Sequence, residues 1–233
     1  MSENKFPSEI IDLPSEGKLY PEGSPLREGK IEVKYMTAKE EDILTSQNLI
    51  KKGLVIETLL DSLIITKGVK SEDLIIGDKN ALMVAARILA YGPEYPCEVT
   101  DPNTGKQITY TFNIADCPFI KLPKGVAGNS FDFELPVSKQ KITYKLLTSK
   151  DERLISDELN AIKKLGTQVL PELTTRLRHI ITSIDGNDEK ATINSFVENM
   201  LSKDSLSLRQ EITKITPDID LSQEIEIEGE TVK

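Results

Sequence analysis

Tryptophan is absent from this sequence of 233 residues, and aromatic residues make up only 5% of it. Its apolar fraction of 38% therefore has to build a core mainly from leucine, isoleucine and valine. Only two cysteines occur, Cys97 and Cys117, 20 positions apart. This is unlike the disulfide framework of a small secreted protein, so we expect two buried thiols rather than a bridge.

Long apolar runs and an excess of basic residues are also missing. No stretch approaches the roughly 18 apolar residues that cross a bilayer. The N-terminal residues MSENKFPSEIIDLP lack the basic start and the apolar segment of a signal peptide. The net charge of −9 disfavours general binding to nucleic acid or to anionic membranes. We expect a soluble intracellular protein with neither as a partner.

Catalytic signatures are missing as well. His179 is the only histidine, and no motif supplies it with a nucleophile or an orienting acid. The sequence has no P-loop, glycine-rich dinucleotide turn, H-E-x-x-H motif or nucleophile elbow. One acidic run, Glu40, Glu41 and Asp42, would support an enzyme only if it converged with His179. We therefore predict that the protein is not an enzyme and has no cofactor.

Composition suggests how the chain is organised, and its length allows two small domains. Residues 1–30 are rich in proline, glycine and serine and are expected to form an extended N-terminal arm. A first α+β module is predicted over residues 31–117, followed by a proline- and glycine-rich linker over residues 118–130. Residues 131–233 are expected to form a second, helix-rich module with an acidic C-terminal tail.

Capping signals mark two helix starts. Thr37 and Glu40 have the S/T-x-x-E spacing of a capping box, in which each side chain satisfies a backbone donor of the other residue. A second helix is predicted to start at Thr148 or Ser149, with Thr148 and Asp151 as its caps. Acidic residues in a first helical turn also favour the helix dipole. We therefore interpret these carboxylates as structural.

Two turns look like ion sites but lack the necessary groups. Residues 77–80 read GDKN and precede a helix, where a phosphate could bind, but Asp78 would repel an anion and is expected to be the helix N-cap. The turn from Asp101 to Gly105 has the form of a zinc knuckle, with Asp101 and Thr104 in place of two thiolates. A structural zinc site needs four ligands, so we predict a metal-free β-hairpin.

A repeat relates the two halves of the chain. IEVKYMTAKEEDIL (31–44) aligns without a gap with ITYKLLTSKDERLI (142–155), at an offset of 111 residues and with five of fourteen positions identical. An internal duplication would give two similar α+β halves, each with a strand pair, helices and a short β-hairpin. Coincidence between two similar strand–helix junctions is the alternative. Arg153 replaces Asp42 in the second copy, which disfavours a three-acid metal site.

Five segments are long and unusual enough to indicate a family. They are LPSEGKLYPEGSPL (13–26), MTAKEEDILTSQNLIKKG (36–53), GDKNALMVAARILAYGPEY (77–95), LPVSKQKITYKLLTSKDERLI (135–155), and LRQEI followed by PDID (208–220). Together they resemble the baseplate hub assembly protein family of T4-type contractile-tailed phages. The resemblance runs over nearly the whole chain.

This resemblance implies a role in building the central hub of the tail baseplate in the cytoplasm of the infected cell. The leading hypothesis is a non-enzymatic chaperone or scaffold that binds other hub or tail proteins, with the tape measure among the candidates. A permanent structural subunit of the baseplate, present in the virion, is the alternative. The family pattern includes paired cysteines at the turn from Asp101 to Gly105 and near residues 226–229. This chain lacks both pairs, so the resemblance implies no zinc site here.

The N-terminal arm offers apolar anchors that could fill a groove on a partner protein. The candidates for partner binding are Leu13, Leu19, Tyr20 and Leu26. The alternative is that the arm packs on its own domain.

Overall fold

The computed structural model describes residues 6–101, 104–223, 225–227 and 230–232. Its first strand, β1 (Ser8–Asp12), pairs antiparallel with β2 (Lys30–Lys34), and a 3-10 turn at Pro25–Glu28 lies between them. The extended arm expected for residues 1–30 is therefore, from residue 8 onward, an integral part of the fold. Pairing with β2 satisfies backbone groups that an extended arm would leave to water.

The helices of the first half follow β2. They are α1 (Ala38–Thr45), α2 (Gln47–Lys52), α3 (Val55–Leu63) and α4 (Ile76–Tyr91), with a 3-10 turn at Ser71–Asp73 before α4. Next comes an antiparallel hairpin made of β3 (Glu94–Thr100) and β4 (Gln107–Asn113). A 3-10 turn at Ile114–Asp116 and the short strand β5 (Phe119–Ile120) end this half.

The second half has the same plan. β6 (Phe131–Glu134), β7 (Lys141–Tyr144) and β8 (Ile181–Ile184) form an antiparallel sheet with β7 in the middle. Its helices are α5 (Ser149–Lys164), α6 (Glu172–Ile180), α7 (Lys190–Glu198) and α8 (Ser202–Ile215). The tail contributes β9 (Asp218–Ile219) and the pair β10 (Ile225–Ile227) and β11 (Glu230–Val232). Residues 228 and 229, between β10 and β11, lie outside the described residues.

The halves correspond in structure as well as in sequence. α1 and α5 begin 111 residues apart, as the sequence repeat requires. α3 and α6 are each nine residues long, and the residue after each helix pairs with the strand that precedes the first helix of its half. These pairs are Ile64 with Val33 and Ile181 with Tyr144. The predicted α+β class with two similar halves is confirmed.

Both halves contribute to one hydrophobic core. Leu60, Leu74 and Leu82 of the first half belong to the same cluster as Leu135 and Leu208 of the second, and all five are fully buried. Burying one leucine side chain is worth roughly 1.5–3 kcal/mol. The two predicted modules therefore share their main source of stability.

The segment expected to form a linker, residues 118–130, also belongs to this structure. β5 pairs with β9 near the end of the chain, and Leu122 lies in the core. A free linker would leave both its backbone groups and Leu122 in water, and pairing and burial remove that cost. The segment thus ties the end of the first half to the end of the second.

α4 approaches the C-terminal segment so closely that only glycine fits at position 77. A Cβ atom on Gly77 would lie 1.7 Å from the carbonyl oxygen of Pro217. One turn further along α4, the Asn80 amide donates to the Asp218 carboxylate at 3.1 Å. The last helix of the first half is therefore packed directly on the end of the second.

Candidate functional site

Glu40, the first residue of the acidic run, is a buried structural group. Its carboxylate accepts hydrogen bonds from the Thr37 N–H (2.9 Å), the Thr37 hydroxyl (2.6 Å) and the Lys34 ammonium (2.8 Å). Burial raises the pKa of Glu40, but the bonds from Lys34 and Thr37 outweigh it and bring the pKa to about 2. This carboxylate stays ionised and holds the start of α1 to the end of β2.

The other acids of the run do not meet the histidine. Glu41 and Asp42 are exposed on α1, whereas His179 lies on α6 with its Nε2 3.3 Å from Glu158. Among the described residues, no three or more histidine, cysteine, aspartate or glutamate side chains are placed to hold a metal ion. In the same part of the chain, no helix has both the length and the apolar character to cross a membrane.

The second half repeats the three hydrogen bonds of Glu40 with an aspartate in its place. Asp151 accepts hydrogen bonds from the Thr148 N–H (2.9 Å), the Thr148 hydroxyl (3.0 Å) and the Lys145 ammonium (2.8 Å). Each of these residues lies 111 positions after its counterpart in the first half. Burial raises the pKa of Asp151, but the bonds from Lys145 and Thr148 outweigh it, so that the pKa is lowered.

Asp78 is not the N-cap expected from the sequence. α4 begins two residues earlier, at Ile76, and the Asp78 side chain is completely buried. It accepts hydrogen bonds from the Ser15 N–H (2.9 Å), the Ser15 hydroxyl (2.6 Å) and the Tyr20 hydroxyl (2.6 Å). The Tyr20 oxygen in turn accepts from the N–H of Ile75 (3.1 Å). Asp78 therefore anchors the turn after β1 to the first turn of α4.

Asp204 holds the equivalent place in the second half. Like Asp78, it is the third residue of its helix and is buried, with 1% of its surface exposed. It accepts hydrogen bonds from the N–H groups of Val137 (2.8 Å) and Ser138 (3.0 Å). These donors follow a Leu-Pro pair after β6, just as Ser15 follows a Leu-Pro pair after β1. In each half a buried aspartate joins the first turn to the last helix.

The pKa values of these two aspartates shift in opposite directions. Burial raises the pKa of Asp78, and the hydrogen bonds from Ser15 and Tyr20 oppose this only in part. Burial also raises the pKa of Asp204, but its two backbone N–H donors outweigh that effect and lower the pKa. Hydrogen bonds to a carboxylate favour its charged form, whereas loss of water disfavours it.

The four arm residues expected to contact a partner lie inside the protein. Leu13, Leu19, Tyr20 and Leu26 expose 1–5% of their surface and belong to the main core. Because they are covered by their own chain, they are not accessible to a partner in this structure. The alternative, in which the arm packs on its own domain, describes the arrangement found.

One face of the β3–β4 hairpin is apolar and incompletely covered. Directly opposed residues of a hairpin share a face, and side chains alternate between faces along each strand. The pairing places six apolar residues together, which we call the hairpin surface: Tyr95, Cys97, Val99, Ile108, Tyr110 and Phe112. Tyr95, Ile108 and Tyr110 expose 47%, 40% and 41% of their surface. The hairpin surface is therefore a candidate for contact with another protein.

A cavity of about 550 Å³ opens between the hairpin surface, α4 and the C-terminal segment. Met83 of α4 and Leu221 of that segment line it, together with both cysteines. Cys97 and Cys117 are unpaired, Cys97 being half-buried and Cys117 buried. Burial raises the pKa of the Cys117 thiol, so this thiol is protonated at neutral pH. The lining gives the cavity an apolar character.

Arg87 fixes the rim of this cavity. Its guanidinium donates to the carbonyls of Gly92 (3.0 Å) and Glu94 (3.3 Å) and lies 5.0 Å from the ring centre of Tyr91 and 5.7 Å from that of Tyr95. Tyrosine, methionine and arginine are enriched in protein–protein interfaces. A rigid arginine between exposed tyrosines suits such an interface.

The turn at the tip of the hairpin runs from Asp101 to Gly105, and its residues 102 and 103 lie outside the described residues. The Thr104 hydroxyl donates to the Asp101 carboxylate, and the Gly105 N–H donates to the Asp101 carbonyl at 2.9 Å. Here the Asp101 carboxylate accepts a hydrogen bond at a position where a zinc knuckle has a thiolate.

The amino-acid sequence carries a local signal for the hairpin surface. In YPCEV (95–99) and ITYTF (108–112) an apolar residue occupies every second position. Such alternation predicts a strand with one apolar face. Whether that face is covered depends on contacts with distant parts of the chain.

Comparison with known proteins gives one match. A family model described as "T4 bacteriophage base plate protein" matches residues 7–228. Neither the curated proteins nor the solved structures gave a match.

Proposed function

Because the chain belongs to the T4 bacteriophage base plate protein family, we propose that it acts in assembly of the central hub of the baseplate. In this proposal it is a non-enzymatic chaperone or scaffold that binds hub or tail proteins in the cytoplasm of the infected cell. The observation that carries the proposal is the extent of the match, residues 7–228. It covers both halves of the repeat and the hairpin.

The hairpin surface supports a role in protein binding. It presents exposed tyrosine and isoleucine side chains beside an apolar cavity, and its partner in this proposal is another baseplate hub or tail protein, with the tape measure among the candidates. A two-stranded hairpin is only marginally stable alone in water, so a protein that covers its apolar face would also stabilise it. The net charge of −9 disfavours nucleic acid as the partner.

Counting the protein in purified particles tests the assembly role. A chaperone or temporary scaffold is expected in hub assembly intermediates and absent from mature particles. A permanent subunit would instead remain in mature particles at a fixed copy number. Quantitative mass spectrometry of both fractions distinguishes these outcomes, and the presence of a fixed number of copies in mature particles would replace the assembly proposal with the structural one.

Variants of the hairpin surface test the mode of binding. Tyr110→Ser is expected to weaken complexes with co-expressed hub proteins by about tenfold, as loss of a large interface residue often does. Thr109→Ser, on the opposite face of the same strand, is the matched control and is expected to leave binding unchanged. Size-exclusion chromatography with mass measurement reads out both. Equal binding by the two variants would remove the hairpin surface from the proposal.

A further inference from the structure

The second half contains a strand–helix junction that is occupied by a segment of the first half. Residues 74–76 run antiparallel to the junction between β7 and α5. The N–H of Ser149 donates to the carbonyl of Leu74 (2.8 Å), and the N–H of Ile76 donates to the carbonyl of Leu147 (3.3 Å). An extended segment thus adds to this junction by pairing of backbone groups.

Burial and charge complete this contact. Leu74 and Ile75 are 0% and 2% exposed, so the segment carries two consecutive buried apolar residues. The Arg153 guanidinium, on α5, donates to the Glu72 carboxylate at 2.9 Å. Glu72 lies three residues before Ile75, which is paired with Thr148. The occupied junction therefore defines the features of a segment that binds there, namely two consecutive apolar residues and a charged residue that pairs with the helix.

The first half has the corresponding junction at residues 36–38, and within the described part of the chain no other segment pairs with it. Residues 36–38 correspond to residues 147–149, and the same threonine, lysine and carboxylate geometry surrounds both. Within the described residues, neither the N–H of Ala38 nor the carbonyl of Met36 has a hydrogen-bond partner. The corresponding segment of the second half, residues 200–202, does not fill the site, since Leu201 is 49% exposed.

Charge determines which occupant fits. Where the second junction has Arg153, the first has Asp42, which is exposed. A second copy of the chain would offer residues 200–202 with Glu198 in the position of Glu72, because each glutamate lies six residues before the buried aspartate of its half. Asp42 and Glu198 would then repel each other. A segment with a basic residue at this position would be attracted instead.

We propose that the junction at residues 36–38 is a docking site for an extended segment of a different protein. The segment has two consecutive large apolar residues, of which the second lies opposite Thr37. Three positions before that second apolar residue it has a basic residue, which contacts Asp42. It binds through the N–H of Ala38 and the carbonyl of Met36, as a peptide strand adds to free backbone groups. The proposal rests on the internal repeat and is independent of the role in baseplate assembly.

Two blocked peptides test the choice of occupant. One is residues 70–78 of this chain, KSEDLIIGD, and the other carries Glu72→Arg. Titrated into the isotope-labelled full chain, the Arg peptide is expected to shift the amide signals of residues 36–43. It should bind about threefold to tenfold more tightly than the Glu peptide, as one surface ion pair in place of a like-charge contact allows.

Variants of the full chain show whether the contact is the proposed one. Asp42→Arg is expected to reverse the preference between the two peptides. Glu41→Arg, the same charge change at the neighbouring position, is the matched control and should not reverse it. Ala38→Pro removes one backbone donor at a helix position where proline is well tolerated. It is expected to lower the affinity for both peptides about twofold to tenfold, the effect of one hydrogen bond.

Three results would overturn the proposal. The first is no shift at residues 36–43 at millimolar peptide. The second is an equal effect of Asp42→Arg and Glu41→Arg on peptide preference. The third is concentration-dependent self-association of the unmodified chain in sedimentation experiments that Ala38→Pro abolishes, because the occupant would then be a second copy.

Discussion

Replacing either buried aspartate of the repeat with asparagine is expected to destabilise the protein, but with opposite dependence on pH. In Asp204→Asn one side-chain oxygen can still accept a hydrogen bond, while the new NH₂ group points at the second backbone donor. Leaving one buried donor unpaired costs about 1–3 kcal/mol. We therefore expect Asp204→Asn to lose about 2 kcal/mol of unfolding free energy at neutral pH.

The sign of the pH dependence follows from the direction of each pKa shift. Folding lowers the pKa of Asp204, so its contribution is complete above the unfolded value of about 3.9 and is lost as the pH falls toward the folded value. Asparagine does not ionise, so the deficit of Asp204→Asn is largest at neutral pH and shrinks toward pH values of about 3.

Asp78 should behave in the opposite way. Folding raises its pKa, so the native protein holds this proton over a pH range in which the unfolded chain has released it. The resulting stability is present below the unfolded pKa of about 3.9 and is lost as the pH rises through the folded value. The deficit of Asp78→Asn is therefore largest in acid and shrinks as the pH rises.

Urea unfolding, followed by circular dichroism, measures the loss of unfolding free energy in both variants. It is carried out at a series of pH values from about 3.5 to 7, which brackets the unfolded aspartate pKa. With a slope of about 2 kcal/mol per molar urea, a loss of 2 kcal/mol moves the midpoint by about 1 M. Other titrating groups are common to the variants and the unmodified chain, so they cancel in the differences. The same pH trend for both variants, or no trend for Asp204→Asn, would refute this reasoning.

Two further predictions concern packing. Gly77→Ala is expected to destabilise the protein by more than about 2 kcal/mol, the upper part of the range for overpacking, because its Cβ would meet Pro217. Lys203→Ala, at the equivalent exposed position of the second half, should be neutral. Thermal unfolding compares the two variants, and similar melting temperatures would contradict the close approach at Gly77. Leu26→Ala is expected to lose about 2–5 kcal/mol as a buried leucine, and an unchanged denaturation midpoint would show that Leu26 is not in the core.

The helix starts at Thr37 and Thr148 show what local sequence can reveal. A capping box lies within four consecutive residues, so the chain segment itself contains both partners. The lysine that completes each site, Lys34 or Lys145, is only six residues from its carboxylate and lies at the end of the preceding strand or directly after it. Repetition of the same residues at one offset also made the two similar halves predictable.

Asp78 shows where such reasoning fails. An aspartate just before an apolar helical stripe has the pattern of an N-cap, but its partners are Ser15 and Tyr20, about 60 residues away in the chain. The hydrogen bonds that hold it form only when the turn after β1 packs on α4. No pattern around Asp78 specifies that contact.

The fold class, the repeat and the family can be predicted from the amino-acid sequence, because periodicity, capping spacings and long unusual segments are properties of neighbouring residues. Which apolar residues are covered depends on contacts between distant parts of the chain. Leu13 and Leu26 are buried by their own chain, whereas Tyr110 of the hairpin surface stays exposed. An apolar side chain gains similar free energy from its own core and from a partner, so the sequence alone does not distinguish the two.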